Sequence, residues 1–288
     1  MMKICSVIVT FNPNTTQFKQ VLDAVTGQVE SIKVVDNGSS NIIDIRRLTK
    51  NYNNVTVEML NDNFGIAEAQ NIGVRGFEFL SYDWVLTLDQ DTIIPFNYVE
   101  QLKKECIGLK DAGIITGAYM DIKWNATEVC TIRSKRTPRV QRVTEEISSG
   151  NLVLVQAWQE VGGFDERLFI DYVDFDFDYK LAEHGYSVYR INDVEFSHEI
   201  GAPVTKGFLS KLLLLNEHEV FDHSAFRIFY IFRNRLIVRR RHPQSGSPVK
   251  MLIREILNLR EILIMRKPRF AKLRAALRGI LRGVLESK

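Results

Sequence analysis

Two aspartates one residue apart, Asp89 and Asp91, follow the apolar run Trp84–Leu88. Alternate side chains of an extended segment point the same way, so both carboxylates reach one pole of a site. Two such charges repel unless a cation lies beside them. Hard divalent ions take oxygen ligands, and Mg2+ commonly joins carboxylate to phosphate. A solvated Asp-rich loop is the plainer reading of Asp-x-Asp alone, but its position directly after a buried strand favours the ion. Asp36, in Asp36-Asn37-Gly38-Ser39, also follows an apolar run. A carboxylate there can accept hydrogen bonds from a ribose or a uracil or thymine ring. Thr10 ends the run Ile4–Thr10, and Asn63 lies in a turn that leads into a helical pattern. Asp62 or Asn63 can cap that helix, and its exposed N–H groups can meet an anion.

Two further stretches stand out. Asp171, Asp174, Asp176 and Asp178 crowd the start of a helical pattern among Tyr172, Val173, Phe175 and Phe177. Acids favour helix N-termini, but four exceed what a cap requires, and a carboxylate held near apolar rings is a reasonable general base. His198 stands alone in Phe196-Ser197-His198, where a structural role is the plainer reading.

The elements that must position these residues alternate in type. Strands are expected at Ile4–Thr10, Ser31–Val35, Val55–Leu60, Trp84–Leu88, Leu152–Val155 and Tyr186–Ile191, with helices at Phe18–Thr26, Ile42–Asn51, Ala67–Leu80, Pro95–Cys106 and Val173–His184. Such alternation predicts an α/β fold with a mainly parallel sheet flanked by helices. Ligands then gather outside the carboxyl ends of the strands. The polar, basic stretch 121–146 is expected to contain a mobile loop. Beyond about residue 205 the pattern is helical throughout, with helices expected at Phe226–Arg240, Val249–Met265 and Phe270–Leu285.

The 288 residues carry a net charge of only +3, unevenly spread. Residues 227–288 hold 17 Lys and Arg against Glu255, Glu261 and Glu286, a local charge of +14 that leaves −11 on the rest. A basic tail on an acidic body is expected to meet something anionic. No apolar run approaches the roughly 18 residues of a transmembrane helix, and the N-terminal residues lack a signal-peptide pattern. Cys5, Cys106 and Cys130 form neither a disulfide framework nor a zinc pattern, so a reducing cytoplasm is expected.

The ordered set Val9-Thr10-Phe11-Asn12, Val34-Val35-Asp36-Asn37-Gly38-Ser39, Asn63-Phe64-Gly65-Ile66-Ala67 and Leu88-Asp89-Gln90-Asp91 resembles family 2 glycosyltransferases. The likeness runs on through Ser149-Gly150-Asn151, Gly162-Gly163-Phe164-Asp165-Glu166, Phe169-Ile170-Asp171 and Ser197-His198, covering about residues 3–201. The form Leu-Asp-Gln-Asp, the ending Phe-Ser-His-Glu-Ile-Gly and Arg233-Asn234-Arg235 look most like bacterial rhamnosyltransferases. The resemblance implies a GT-A fold, a Rossmann-like sheet, over residues 1–205, with a basic helical region over 206–288. It implies donor binding by Thr10, Asp36, Asn63 and Asp89, a Mg2+ or Mn2+ ion held by Asp91, Asp89 and His198, and Asp174 as base. Val173 stands where many members carry Glu, and Asp171 and Asp176 remain rivals for the base. The implied reaction is inverting transfer of L-rhamnose from dTDP-L-rhamnose to a lipid-linked saccharide in cell-surface polysaccharide synthesis.

Alternatives differ in testable ways. Within the family, the donor sugar can be galactofuranose or a hexose from a UDP donor. A sugar nucleotidyltransferase needs a Gly-rich phosphate loop after the first strand, where Phe11-Asn12-Pro13-Asn14 stands instead. A nucleic-acid-binding tail is opposed by the acidic body and by the lack of a broad aromatic stacking platform, so no nucleic acid is expected. In the last helix Arg274, Arg278 and Arg282 make one face and Leu273, Leu277, Ile280, Leu281, Val284 and Leu285 another. That pattern is expected to seek an anionic membrane surface, here the cytoplasmic face of a bacterial inner membrane; the plainer alternative is a packed helical subdomain with a solvated basic face.

Overall fold

The computed structural model describes residues 2–77, 82–198, 201, 203–205, 207–215, 219–242 and 247–286. They fall into two compact units, Met1–Phe169 with Val173–Glu199, and Ile170–Tyr172 with Ile200–Lys288.

The first unit is built on one eight-stranded sheet. Its strands are β1 (Ile4–Thr10), β2 (Ser31–Asp36), β3 (Val55–Met59), β4 (Trp84–Asp89), β5 (Ala112–Asp121), β6 (Val140–Val143), β7 (Asn151–Leu154) and β8 (Ser187–His198). The order is β3-β2-β1-β4-β7-β5-β8-β6. From β3 to β4 every pairing is parallel. β7 runs antiparallel to both β4 and β5, and β6 antiparallel to β8, while β5 and β8 are parallel. β1 is buried along its whole length, as a strand covered on both faces must be.

The helices that cross between parallel strands bury one apolar stripe each. In α1 (Thr15–Val25), Phe18, Val21, Leu22 and Val25 recur at helical spacing and are all inaccessible to solvent. Burying each such side chain stabilises by about 1.5–3 kcal/mol. Asn14 starts this helix, its Oδ1 accepting from the N–H groups of Thr16 and Gln17. The others are α2 (Ile42–Thr49), α3 (Ile66–Arg75), α4 (Tyr98–Cys106), α5 (Ala126–Lys135), α6 (Val155–Glu160) and α7 (Val173–Glu183). The part of the third expected helix from 78 to 80 lies outside the described residues.

Residues 121–146 differ from expectation. The stretch holds a helix, α5, and an edge strand, β6, rather than a loop alone. Helix α5 buries no residue, so it has no apolar stripe to be recognised by. Its start is held by a capping box between Asn125 and Glu128.

The second unit contains α8 (Phe208–Leu212), α9 (Ala225–Arg241), α10 (Pro248–Asn258) and α11 (Arg269–Leu285), with a 3-10 turn at Leu259–Leu263. Helix α11 packs on α9 through small residues. A Cβ on Gly279 would lie 2.5 Å from the Phe229 carbonyl oxygen, and one on Gly283 2.7 Å from that of Arg233. The expected leucine face is therefore split. Lys272, Ala276, Gly279 and Gly283 are the buried positions, Leu273 and Ile280 are partly buried, and Leu277, Leu281, Val284 and Leu285 are exposed. Among the described residues no helix is long and apolar enough to cross a membrane.

Candidate active site

The parallel half of the sheet brings three polar residues to one edge. Register pairs Thr10 with Asp36 and Val9 with Asp89, so β1, β2 and β4 end side by side. Asp36 is almost fully buried. Its Oδ1 accepts from the Thr10 hydroxyl at 3.0 Å and its Oδ2 from the Ser39 N–H at 2.9 Å. Each oxygen retains a further lone-pair direction for a ligand N–H or O–H.

Side-chain amides tie the turns beyond these strands together. Asn12, at φ 49°, accepts from the N–H and hydroxyl of Ser40. The Asn37 amide donates to Asn63 Oδ1 and to the Gly65 carbonyl, and its oxygen accepts from Phe64 N–H. Asn63 thus braces the turn rather than capping α3; the cap position is Gly65, at φ 91°. A Cβ there would lie 2.5 Å from the Phe169 carbonyl oxygen, which accepts the first helical N–H, that of Ile66, at 2.7 Å. That N–H is thereby committed to Phe169 rather than to an anion.

Asp89, Asp91 and His198 converge. Each offers one ligand atom, and the three atoms lie within 4.8 Å of one another. His198 ends β8, and an antiparallel bridge between Ile93 and Ser197 draws that strand end to the turn after β4. His198 Nδ1 lies 3.8 Å from Asp91 Oδ1 and 2.8 Å from the Thr92 hydroxyl. Thr92 in turn meets the Ser149 hydroxyl at 2.7 Å, and Ser149 accepts from the Asp89 N–H at 2.9 Å. Gln90 turns the other way, its Oε1 accepting from the Phe11 N–H at 2.8 Å. Two carboxylates and an imidazole at this spacing are a donor set suited to a hard or borderline divalent cation.

The acid run resolves into unlike environments. Asp171 is gripped by Arg227, whose Nε and Nη2 donate to its carboxylate at 2.8–3.0 Å. Asp176 and Asp178 are buried. Burial pushes the Asp178 carboxyl well above the usual carboxylate range, against the N–H of Glu146, which donates to it at 2.7 Å. Asp174, in the first turn of α7, is partly exposed.

Sequence reasoning named Thr10, Asp36, Asp89, Asp91 and His198, and all five lie at the carboxyl edge or converge there. It gave no role to Thr92, Gln90 or Ser149. Thr92, directly after the second aspartate, was the available signal, because a hydroxyl beside an ion site commonly orients a ligand.

A mixed α/β sheet with acids gathered at the ends of its parallel strands is the architecture of the GT-A fold. The model of the glycosyl transferase family 2 matches residues 5–143. Over 266 residues the chain is 29% identical to dTDP-rhamnosyl transferase RfbF of Shigella flexneri, an alignment spanning 88% of this chain and 84% of the relative. Among solved structures it is similar to S. aureus TarS 1–349 in complex with UDP-GlcNAc, at TM-score 0.57 and 13% identity over 98% of this chain and 89% of that one. It is also similar to GalNAc-T7 with UDP, GalNAc and Mn2+, at TM-score 0.56 and 15% identity over 90% and 55% of the two chains. Residues 5–143 thus match the family 2 glycosyltransferases, and the chain as a whole is similar to a rhamnosyltransferase.

Proposed function

We propose that the protein transfers L-rhamnose from dTDP-L-rhamnose to a hydroxyl of a lipid-linked saccharide in cell-surface polysaccharide synthesis, with inversion at the anomeric carbon. The observation that carries this reading is the Asp36 and Asp89–Asp91–His198 arrangement at one sheet edge, in a chain whose relative is a dTDP-rhamnosyl transferase. Asp36, with Thr10 behind it, receives the base, Asp89 lies beside the ribose and diphosphate, and Asn63 supports the donor pocket through Asn37 and Gly65.

Asp91, Asp89 and His198 would hold Mg2+ or Mn2+, which when bound supplies positive charge for the departing nucleoside diphosphate. Asp174 takes the proton from the acceptor hydroxyl as that oxygen attacks the anomeric carbon. The assignment to Asp174 follows the family resemblance and is supported by its partial exposure, whereas Asp171 is held by an arginine and Asp176 and Asp178 are buried. In-line attack turns a β-linked donor into an α-rhamnoside without a covalent intermediate.

The second unit supports a peripheral position on an anionic membrane, the cytoplasmic face of a bacterial inner membrane, where a lipid-linked acceptor resides. Leu277, Leu281 and Leu285 of α11 are exposed between Arg274, Arg278 and Arg282. Each cation near an anionic leaflet contributes about 1 kcal/mol.

The deciding experiment incubates the protein with a panel of nucleotide sugars and Mg2+ or Mn2+ and follows slow donor hydrolysis. Turnover of dTDP-L-rhamnose is expected. Turnover of UDP-hexoses alone would sink the rhamnosyl assignment.

A further inference from the structure

The motif Ser149-Gly150-Asn151 leads into β7, whose Asn151 pairs with Thr87, two residues before Asp89. Its turn is pinned on both sides of Ser149. The Thr87 hydroxyl donates to the Ser148 carbonyl at 2.5 Å, and the Gly150 N–H donates to the Thr87 carbonyl at 2.8 Å. The Gly150 carbonyl accepts from the hydroxyl of the wholly buried Tyr98 at 2.6 Å. Gly150 stands at φ 86°, and a Cβ on it would lie 2.8 Å from the ring of Phe196, two residues before His198. Held in this way, the buried Ser149 hydroxyl acts as a bridge. Its oxygen accepts from the Asp89 N–H at 2.9 Å, and it donates to the Thr92 oxygen at 2.7 Å. Thr92, fully buried, is in turn hydrogen-bonded to His198 Nδ1 at 2.8 Å. Two buried hydroxyls thus join the backbone at one acid to an imidazole on another strand, and every residue involved lies in the first unit.

For packing alone an apolar pair would serve as well, since the net gain from a buried neutral hydrogen bond is small. For ion binding the bridge has a distinct value. Two carboxylates repel one another, and ordering a side chain costs conformational freedom. Groups ordered in advance lower the cost of binding, and partners behind a metal ligand set its orientation. The hydrogen bond to Thr92 engages one ring nitrogen of His198 and so restrains the ring. We infer that Thr92 and Ser149 are positioning residues for a divalent cation, tying Asp89 and His198 together at a fixed spacing before the ion arrives. This rests on the reading of Asp89, Asp91 and His198 as the ligands of that cation. The bridge therefore acts on metal affinity, and excess metal compensates for its loss.

The test compares the wild type with Thr92→Val, Ser149→Ala and Thr92→Ser in two titrations with Mn2+. One follows free Mn2+ by electron paramagnetic resonance, with protein and metal alone. The other follows hydrolysis of dTDP-L-rhamnose against Mn2+ concentration. Thr92→Val and Ser149→Ala should weaken Mn2+ binding about 10–100-fold, the loss typical when a partner behind a metal ligand is removed. The Mn2+ concentration for half-maximal hydrolysis should rise by the same factor, while kcat at saturating Mn2+ stays close to that of the wild type. Thr92→Ser keeps the hydroxyl and should bind Mn2+ as the wild type does. Superimposable Mn2+ curves for all four proteins overturn the inference, as does a loss of kcat that no Mn2+ concentration restores. Binding by Thr92→Ser as weak as by Thr92→Val also overturns it, because the hydroxyl is then not what matters. Ser149→Ala carries the test if Thr92→Val does not fold, and the resonance titration decides whichever sugar nucleotide is the donor. A wild type that binds no Mn2+ removes the metal reading and this inference with it, whereas unchanged binding in the variants removes the bridge alone.

Discussion

Two helices, one from each unit, bury opposite kinds of residue. In the sheet unit, α1 turns Phe18, Val21, Leu22 and Val25 inward, and the polar groups collect at strand ends. In the helical unit, α11 turns Ala276, Gly279 and Gly283 inward and leaves Leu277, Leu281 and Leu285 in solvent. The first arrangement spends its apolar surface on its own core and frees the acids to bind a ligand. The second keeps backbone close to backbone and leaves part of its apolar surface in solvent. The difference teaches that a leucine's place depends on what its helix packs against, not on its helical periodicity alone.

The largest effect should come from the acidic edge. Asp91→Ala removes the carboxylate closest to His198 and should lower turnover of dTDP-L-rhamnose on the order of 1000-fold, about 4 kcal/mol of transition-state stabilisation. Steady-state kinetics with saturating Mn2+ checks this, and near-normal turnover removes the metal from the mechanism. Asp174→Asn keeps the shape of the side chain but cannot take a proton, and should cost about 100-fold in kcat. Asp171→Asn and Asp176→Asn serve as comparisons. If either of them loses more than Asp174→Asn at equal thermal stability, the base has been misassigned.

Legibility followed the same division. The parallel half of the sheet was readable almost residue by residue: β1 was expected at Ile4–Thr10 and is found there, because a strand covered on both faces is a continuous apolar run. β5 was not anticipated. Its residues Ala112–Asp121 mix Gly113, Gly117 and Thr116 with apolar side chains, and Gly117 is required by the close approach of the Val194 carbonyl and the Tyr98 ring, a tertiary cause invisible locally. β8 was expected to stop at Ile191 but runs to His198, its pairing with β5 resuming after a shift in register beyond Gly117. The position of His198 against Asp91 therefore depended on a contact 107 residues apart in the chain, and only motif order pointed to it. The hydroxyl pair Thr92 and Ser149 left no periodic trace at all.

A substitution on the buried face of α11 should be felt next. Gly279→Val places a side chain against the Phe229 carbonyl, where even a Cβ would come within 2.5 Å. Overpacking of this kind costs about 1–3 kcal/mol. Urea unfolding followed by circular dichroism should show that loss, while Leu281→Asp on the exposed face should leave the midpoint unchanged. Equal destabilisation by both substitutions means the leucine face is covered by protein.

The smallest effect discriminates best. Leu281→Asp changes no packed contact, since Leu281 is 60% exposed, yet it puts a carboxylate between Arg278 and Arg282. Next to an anionic leaflet, an added negative charge opposes binding by about 1 kcal/mol, and the leucine's own insertion is lost as well. Co-sedimentation with phosphatidylglycerol vesicles should therefore weaken roughly tenfold, close to the 1.4 kcal/mol per decade of any equilibrium. Binding to neutral phosphatidylcholine vesicles should be weak for both proteins, because the arginines then have no counter-charge. Leu281→Ala separates the two contributions: it removes most of the apolar contact without adding charge, and its loss should be the smaller of the two. Were Leu281→Asp to sediment like the wild type, the exposed leucines would not be a membrane face, and the asymmetry between the two units would need a protein partner to explain it.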